Sequence, residues 1–125
     1  MKPMWLNRRI AAPGPCLYLA LSEAEYFKAV RHLKINNPPP WLNEGAYATT
    51  HTFSNLGERA CVVSIGRWRG CDPVEIAGLL VHEAVHVWQE YAEAIGERHP
   101  GVEQEAYAIQ AISQELMAEF AHRRS

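Results

Sequence analysis

The segment that most limits what this chain can fold into runs from Val74 to Ile95, VEIAGLLVHEAVHVWQEYAEAI. Wound at about 100° per residue, Val74, Ile76, Ala77, Leu79, Leu80, Val81, Ala84, Val85, Val87, Trp88, Tyr91 and Ile95 cover most of the circumference. A helix apolar nearly all round is expected inside the molecule. Its ends are marked in the sequence. Asp72 suits the N-cap, Pro73 the first helical position, Glu75 a capping-box partner, and Gly96 the stop. Gly78, one turn before His82, is expected to allow another backbone or a substrate to approach, or to reflect tight packing.

This helix carries His82-Glu83-Ala84-Val85-His86. Residues four apart on a helix are offset by about 40° and roughly 6 Å. His82 and His86 therefore project from one face and suit a shared Zn²⁺ with nitrogen ligands at about 2.0–2.1 Å. Glu83, about 100° round the helix, lies beside such a metal rather than on it. There it suits general-base work on a water that the metal acidifies to a pKa of about 7. The plainer alternatives are a surface helix that happens to carry two His and a Glu, or a hydrogen-bonded pair in the core. In a buried helix, two His and a Glu need partners, and a metal supplies one.

A catalytic zinc site needs a third protein ligand. No Gly and His follow the motif at metzincin spacing: Gln89 and Glu90 come after Val87-Trp88, and position 92 is Ala. A Glu on a later helix is the other solution. Apolar residues at 102, 106, 109, 112, 116 and 120 predict a helix over 102–120, and its start holds Glu103 and Glu105. The apolar stripe centres nearer Glu105, while Glu103 lies on a polar flank with Tyr107 and Gln110. A polar flank suits an open cleft, so Glu103 is taken as the ligand and Glu105 as the alternative. Either also suits the positive end of a helix dipole without any metal. Gly96 to Gly101 spans up to about 20 Å, ample to bring this helix back. His99 is an outside candidate.

HEAVH followed by Glu103-x-x-Ala106-Tyr107 resembles the HExxH…ExxA(D/N) arrangement of gluzincin-type zinc metallopeptidases, among them the HtpX-like and ImmA/IrrE-type enzymes. HEAVHVWQ with EQEAYAIQ downstream is similar to small metallopeptidase-like proteins of phages and prophages. The resemblance covers residues 72 to about 120. It implies His82, His86 and Glu103 as ligands and Glu83 as general base. The familiar pattern has Asp or Asn, often supporting a ligand, where this chain has Tyr107.

The rest of the chain sets bounds. Its 125 residues suit one domain, 1–125, of α+β class: about three helices, with a β-hairpin before the histidine helix. A net charge of −2 offers no footprint for nucleic acid. No apolar run reaches the roughly 18–20 residues of a membrane span, and Pro13 and Pro15 interrupt any signal-like segment. Cys16, Cys61 and Cys71 are odd in number and lack paired metal spacing, which predicts reduced thiols and a cytoplasmic setting.

Residues 1–16 are expected to form an irregular arm. Ser22-Glu23-Ala24-Glu25 opens a helix reaching about Lys34, and Asn36 to Pro40 is read as a stiff linker. Residues 46–53 and 60–66 predict a hairpin turning at 54–58. Within it, Ala60 to Gly66 is the candidate edge to receive a peptide as an added strand, beside the plainer role of covering the core. Tyr107, Tyr47 and His51 are candidate oxyanion donors, although structural roles suit Tyr47 and His51 as well. The expected function is a zinc-dependent metallopeptidase acting on a peptide or protein. The alternative is a non-catalytic phage or prophage zinc-binding protein used for assembly or interaction. A metal-free helical interaction domain is the third reading.

Overall fold

The computed structural model describes residues 16–55, 58–97 and 99–124. The elements are β1 (Cys16–Ala20), α1 (Glu23–His32), β2 (Ala48–Asn55), β3 (Glu58–Ile65), α2 (Pro73–Ala94) and α3 (Val102–Arg123). The class is α+β, with the hairpin β2–β3 preceding the helix of the two histidines. Of the expected arm, only Cys16 is described, and it opens β1; residues 1–15 lie outside the described residues.

β1 has no counterpart among the sequence expectations. It pairs parallel to β3, while β2 pairs antiparallel to β3 on the other side. The order is therefore β1-β3-β2, and this corrects one expectation. Ala60 to Gly66 is no receiving edge, because β3 is the central strand and its backbone groups are used on both sides. The edges are β1 and β2.

Alternation along the strands divides the core in two. Leu17, Leu19, Cys61, Val63 and Ile65 face α2 and α3, whereas Tyr18, Ala20 and Val62 face Tyr26, Ala29 and Val30 of α1. Helices thus cover both faces of a three-stranded sheet, one on one side and two on the other.

Local signals fix the ends of the helices. Ser22 accepts from the Glu25 amide at 3.2 Å, and Glu25 Oε1 accepts in return from the Leu21 amide at 2.8 Å. α1 stops at His32, two residues short of the expected Lys34, which takes a left-handed φ of 59°. Asp72 accepts from the Val74 amide at 2.7 Å, Pro73 opens α2, and Gly96 turns left-handed at φ 74°. The proline segment packs rather than simply linking: Tyr26 donates to the Pro39 carbonyl at 2.7 Å. That segment returns close to Gly66, where a Cβ would meet Leu42 Cδ1 at 2.6 Å and the leucine side chain would have to shift.

The far end of α3 is clamped. Arg123 donates to the Leu19 carbonyl at 2.6 Å and pairs with Glu25, and Phe120 meets Trp68 edge-on with centroids 5.5 Å apart. Trp68 in turn donates to the Leu21 carbonyl at 2.9 Å. No helix among the described residues is long and apolar enough to cross a membrane.

Candidate metal centre

α2 is not buried all round. Its inner arc is Ile76, Leu80, Glu83, Ala84, Val87, Trp88 and Ala92. Val74, Val81 and Ile95 are exposed despite being apolar. A sheet face and one neighbouring helix can cover only about half of a cylinder. His82 and His86 fall on the uncovered flank, and of the motif residues singled out for chemistry only Glu83 is buried, at 3% exposure. The expectation that burial would force partners on all three therefore holds for Glu83 alone. Gly78 faces open space: a Cβ added there would meet nothing within 4 Å.

The two histidines of that flank come within hydrogen-bond distance of each other. His82 Nε2 and His86 Nε2 stand 3.3 Å apart. Two nitrogens bound at about 2.0–2.1 Å to a tetrahedral zinc stand about 3.3–3.4 Å apart, so the donor pair fits that ion. His86 Nδ1 lies 3.2 Å from Gln89 Oε1. An amide oxygen only accepts, so Nδ1 carries the proton in this contact and Nε2 keeps its lone pair. This is the arrangement by which ligating histidines are commonly oriented.

Glu83 sits between the flank and the sheet. Thr50 of β2 donates its hydroxyl to Glu83 Oε1 at 2.8 Å. Glu83 Oε2 lies 3.9 Å from His82 Nε2. One oxygen is thus held by the edge strand and the other stands beside the histidine pair.

The other expected residues are more scattered. Glu103 is exposed at the start of α3. Glu105 reaches α2, where its Oε2 accepts from Trp88 Nε1 at 2.8 Å. Trp88 lies about 160° round α2 from His86, so this contact is on the opposite flank from the histidines. Among the described residues, no three His, Cys, Asp or Glu side chains are gathered as a metal group. Tyr107 and Tyr47 are exposed, at 67% and 64%, and His99 is exposed in the loop. His51 belongs to the other face of β2. It packs on Tyr26 with ring centroids 5.1 Å apart, which removes it as an oxyanion donor.

The thiols are free: Cys16 half-buried, Cys61 buried and Cys71 exposed. Burial pushes the Cys61 thiol up to about 11, so at neutral pH it is protonated and a poor metal ligand. A shallow cleft lined by Trp68, Cys71, Pro73, Phe120 and Arg124 lies at the N-terminal end of α2 and holds none of the motif residues.

Thr50 is the residue that sequence reasoning missed. No spacing links it to Glu83, 33 positions away. The available signal was indirect: Thr50 and Thr52 alternate on one face of an otherwise ordinary strand. Comparison with protein-family models, with curated proteins and with solved structures finds no match for this chain.

Proposed function

We propose that this protein is a zinc-dependent metallopeptidase, with His82 and His86 as metal ligands and Glu83 as general base. The observation that carries the reading is the 3.3 Å separation of the two Nε2 atoms on one helix flank, with the Glu83 carboxylate beside them. The third ligand is a carboxylate of the Glu103–Glu105 pair. The bond from Trp88 holds Glu105 on the flank of α2 opposite the histidines, which leaves Glu103, the ligand that the sequence pointed to, as the favoured one.

Zinc, when bound, supplies a Lewis acid that acidifies water and polarises a peptide carbonyl. The chain's own residues do the rest. Gln89 keeps His86 in the tautomer that offers Nε2. Glu83 takes a proton at Oε2 and returns it to the leaving amine. The open edge of β2, next to Thr50, takes an extended peptide through its unpaired backbone groups. The substrate is a peptide or protein, the setting is cytoplasmic, and neither nucleic acid nor membrane is a partner.

The test compares wild type with Glu83→Gln in the native host proteome, looking for new peptide termini. Glu83→Gln is expected to keep the zinc and the fold while cleavage falls by about 10²–10⁴. Absence of termini specific to the wild type would remove the peptidase reading. A second reading, a non-catalytic phage or prophage zinc-binding assembly or interaction protein, is favoured by the exposed Val102 and Tyr107 near the start of α3, 82% and 67% exposed. It takes over if a partner co-purifies equally with both proteins and no cleavage is seen.

A further inference from the structure

We infer that Thr50 is the positioning residue of Glu83, fixing one carboxylate oxygen so that the other is presented to the histidine pair. The inference rests on the peptidase reading for its purpose, but the contact stands without it. Glu83 is the one charged residue in the described core whose side chain is almost wholly covered, at 3% exposure. A carboxylate there is costly unless hydrogen-bonded. The Thr50 hydroxyl meets Oε1 at 2.8 Å, and Oε2 is left facing His82 Nε2 at 3.9 Å. A bond to one oxygen restricts rotation about the terminal torsion, which is otherwise broad for a glutamate.

The source of the hydroxyl matters. Thr50 is held in the ladder of β2 opposite Val63, so its Cβ is fixed by backbone pairing and its branched side chain has restricted rotamers. β2 is also an edge strand. The side chain that aims the base therefore belongs to the strand on which an added peptide would lie. A peptide pairing there would brace the same backbone that carries Thr50. Serine could donate the same bond with less restraint, whereas valine keeps the shape and loses the donor.

The experiment uses the full chain with Thr50→Val and Thr50→Ser, each alone and combined with Glu83→Met. The folding equilibrium constant is measured by urea titration. Thr50→Val should lower it by about 10- to 100-fold, as expected for a buried carboxylate left without its donor. In the Glu83→Met background the same change should cost under about threefold. Equal losses in both backgrounds overturn the contact, whatever the protein does.

The second arm follows new termini in the host proteome, at urea-free conditions where every variant is folded. Thr50→Val should slow cleavage by about 10- to 100-fold, the order expected for a misplaced catalytic group, with Thr50→Ser restoring most of it. Coupled folding with unchanged cleavage makes Thr50 structural only and overturns the positioning role. A wild type that cleaves nothing removes the peptidase reading itself, and the first arm then still decides whether the two side chains are linked.

Discussion

The two faces of β2 put alternate residues of one strand to opposite uses. On the α1 face, His51 and Phe53 stack with centroids 5.9 Å apart, and Tyr26 closes over both. On the α2 face, Thr50 and Thr52 offer hydroxyls, one to Glu83 and the other within 3.6 Å of the Cys61 thiol. One face is closed by aromatic packing around a histidine whose Nδ1 is buried with no hydrogen-bond partner. The other borders a helix flank whose histidines are open to solvent. The contrast teaches that histidine content is a poor guide to chemistry here. Burial among aromatic rings gives His51 a structural role, whereas the exposed pair His82 and His86 remains open to a ligand.

The largest expected effect tests the open face. His82→Ala should reduce zinc from one equivalent per chain to near zero in tag-free protein, read by elemental analysis. An apparent binding free energy of about 10–16 kcal/mol, shared among three protein ligands, implies a loss on the order of 10³-fold. Because His82 is exposed, the metal-free fold should hardly change. Full metal occupancy in the variant would erase the distinction between the two faces.

The closed face should answer in the opposite way. Tyr26 is fully buried and donates to the Pro39 carbonyl. Tyr26→Ala should cost about 3–5 kcal/mol in urea unfolding, as large aromatic truncations do. Zinc affinity of the folded fraction should stay within a few-fold of wild type. A large loss of affinity at constant folding would mean that the two faces are coupled through β2.

How much of this is legible in the sequence follows from the reach of each signal. The caps of α1 and α2 are local, and Ser22, Asp72, Pro73 and Gly96 mark them well. The hairpin is visible because β-formers flank a turn, although its strands run on to Asn55 and back from Glu58. β1 escapes because CLYLA is a short apolar run with no polar alternation to mark it. With β1 unseen, β3 cannot be known to be central. The exposed histidine flank is misjudged because counting apolar residues round a helix does not say which of them the neighbours cover. Thr50 is invisible because its contact exists only after the sheet and α2 have packed.

The third ligand gives a smaller effect. Glu103→Gln should weaken zinc binding by about 10- to 100-fold, and Glu105→Gln by less, in calorimetric titration of the full chain. Glu105 is engaged by Trp88 on the flank opposite the histidines, whereas Glu103 points from the other side of the same exposed helical turn. The reverse order would favour the apolar-stripe argument, which centres nearer Glu105. Equal and slight effects would place the third ligand elsewhere, with His99 next to be tested.

The smallest effect belongs to His51, and it bears most directly on the contrast between the faces. Burial lowers its pKa below the ordinary 6.5, opposed in part by a hydrogen bond with the Pro40 backbone. In the unfolded chain the imidazole takes up its proton near pH 6.5, while in the folded protein it does so only at lower pH. Between those two values the unfolded state binds more protons, so stability rises with pH across that window. The contribution is intact above about pH 6.5 and is lost progressively as the pH falls through the lowered folded value. His51→Phe removes the titrating group and keeps a ring among Tyr26 and Phe53. Urea unfolding at pH 7.5 and 5.5 should therefore show a smaller acid loss for the variant than for the wild type. Because both proteins keep His82 and His86, their difference isolates the closed face. An identical acid loss in both would assign the whole pH dependence to other groups and would show His51 to be indifferent to its protonation.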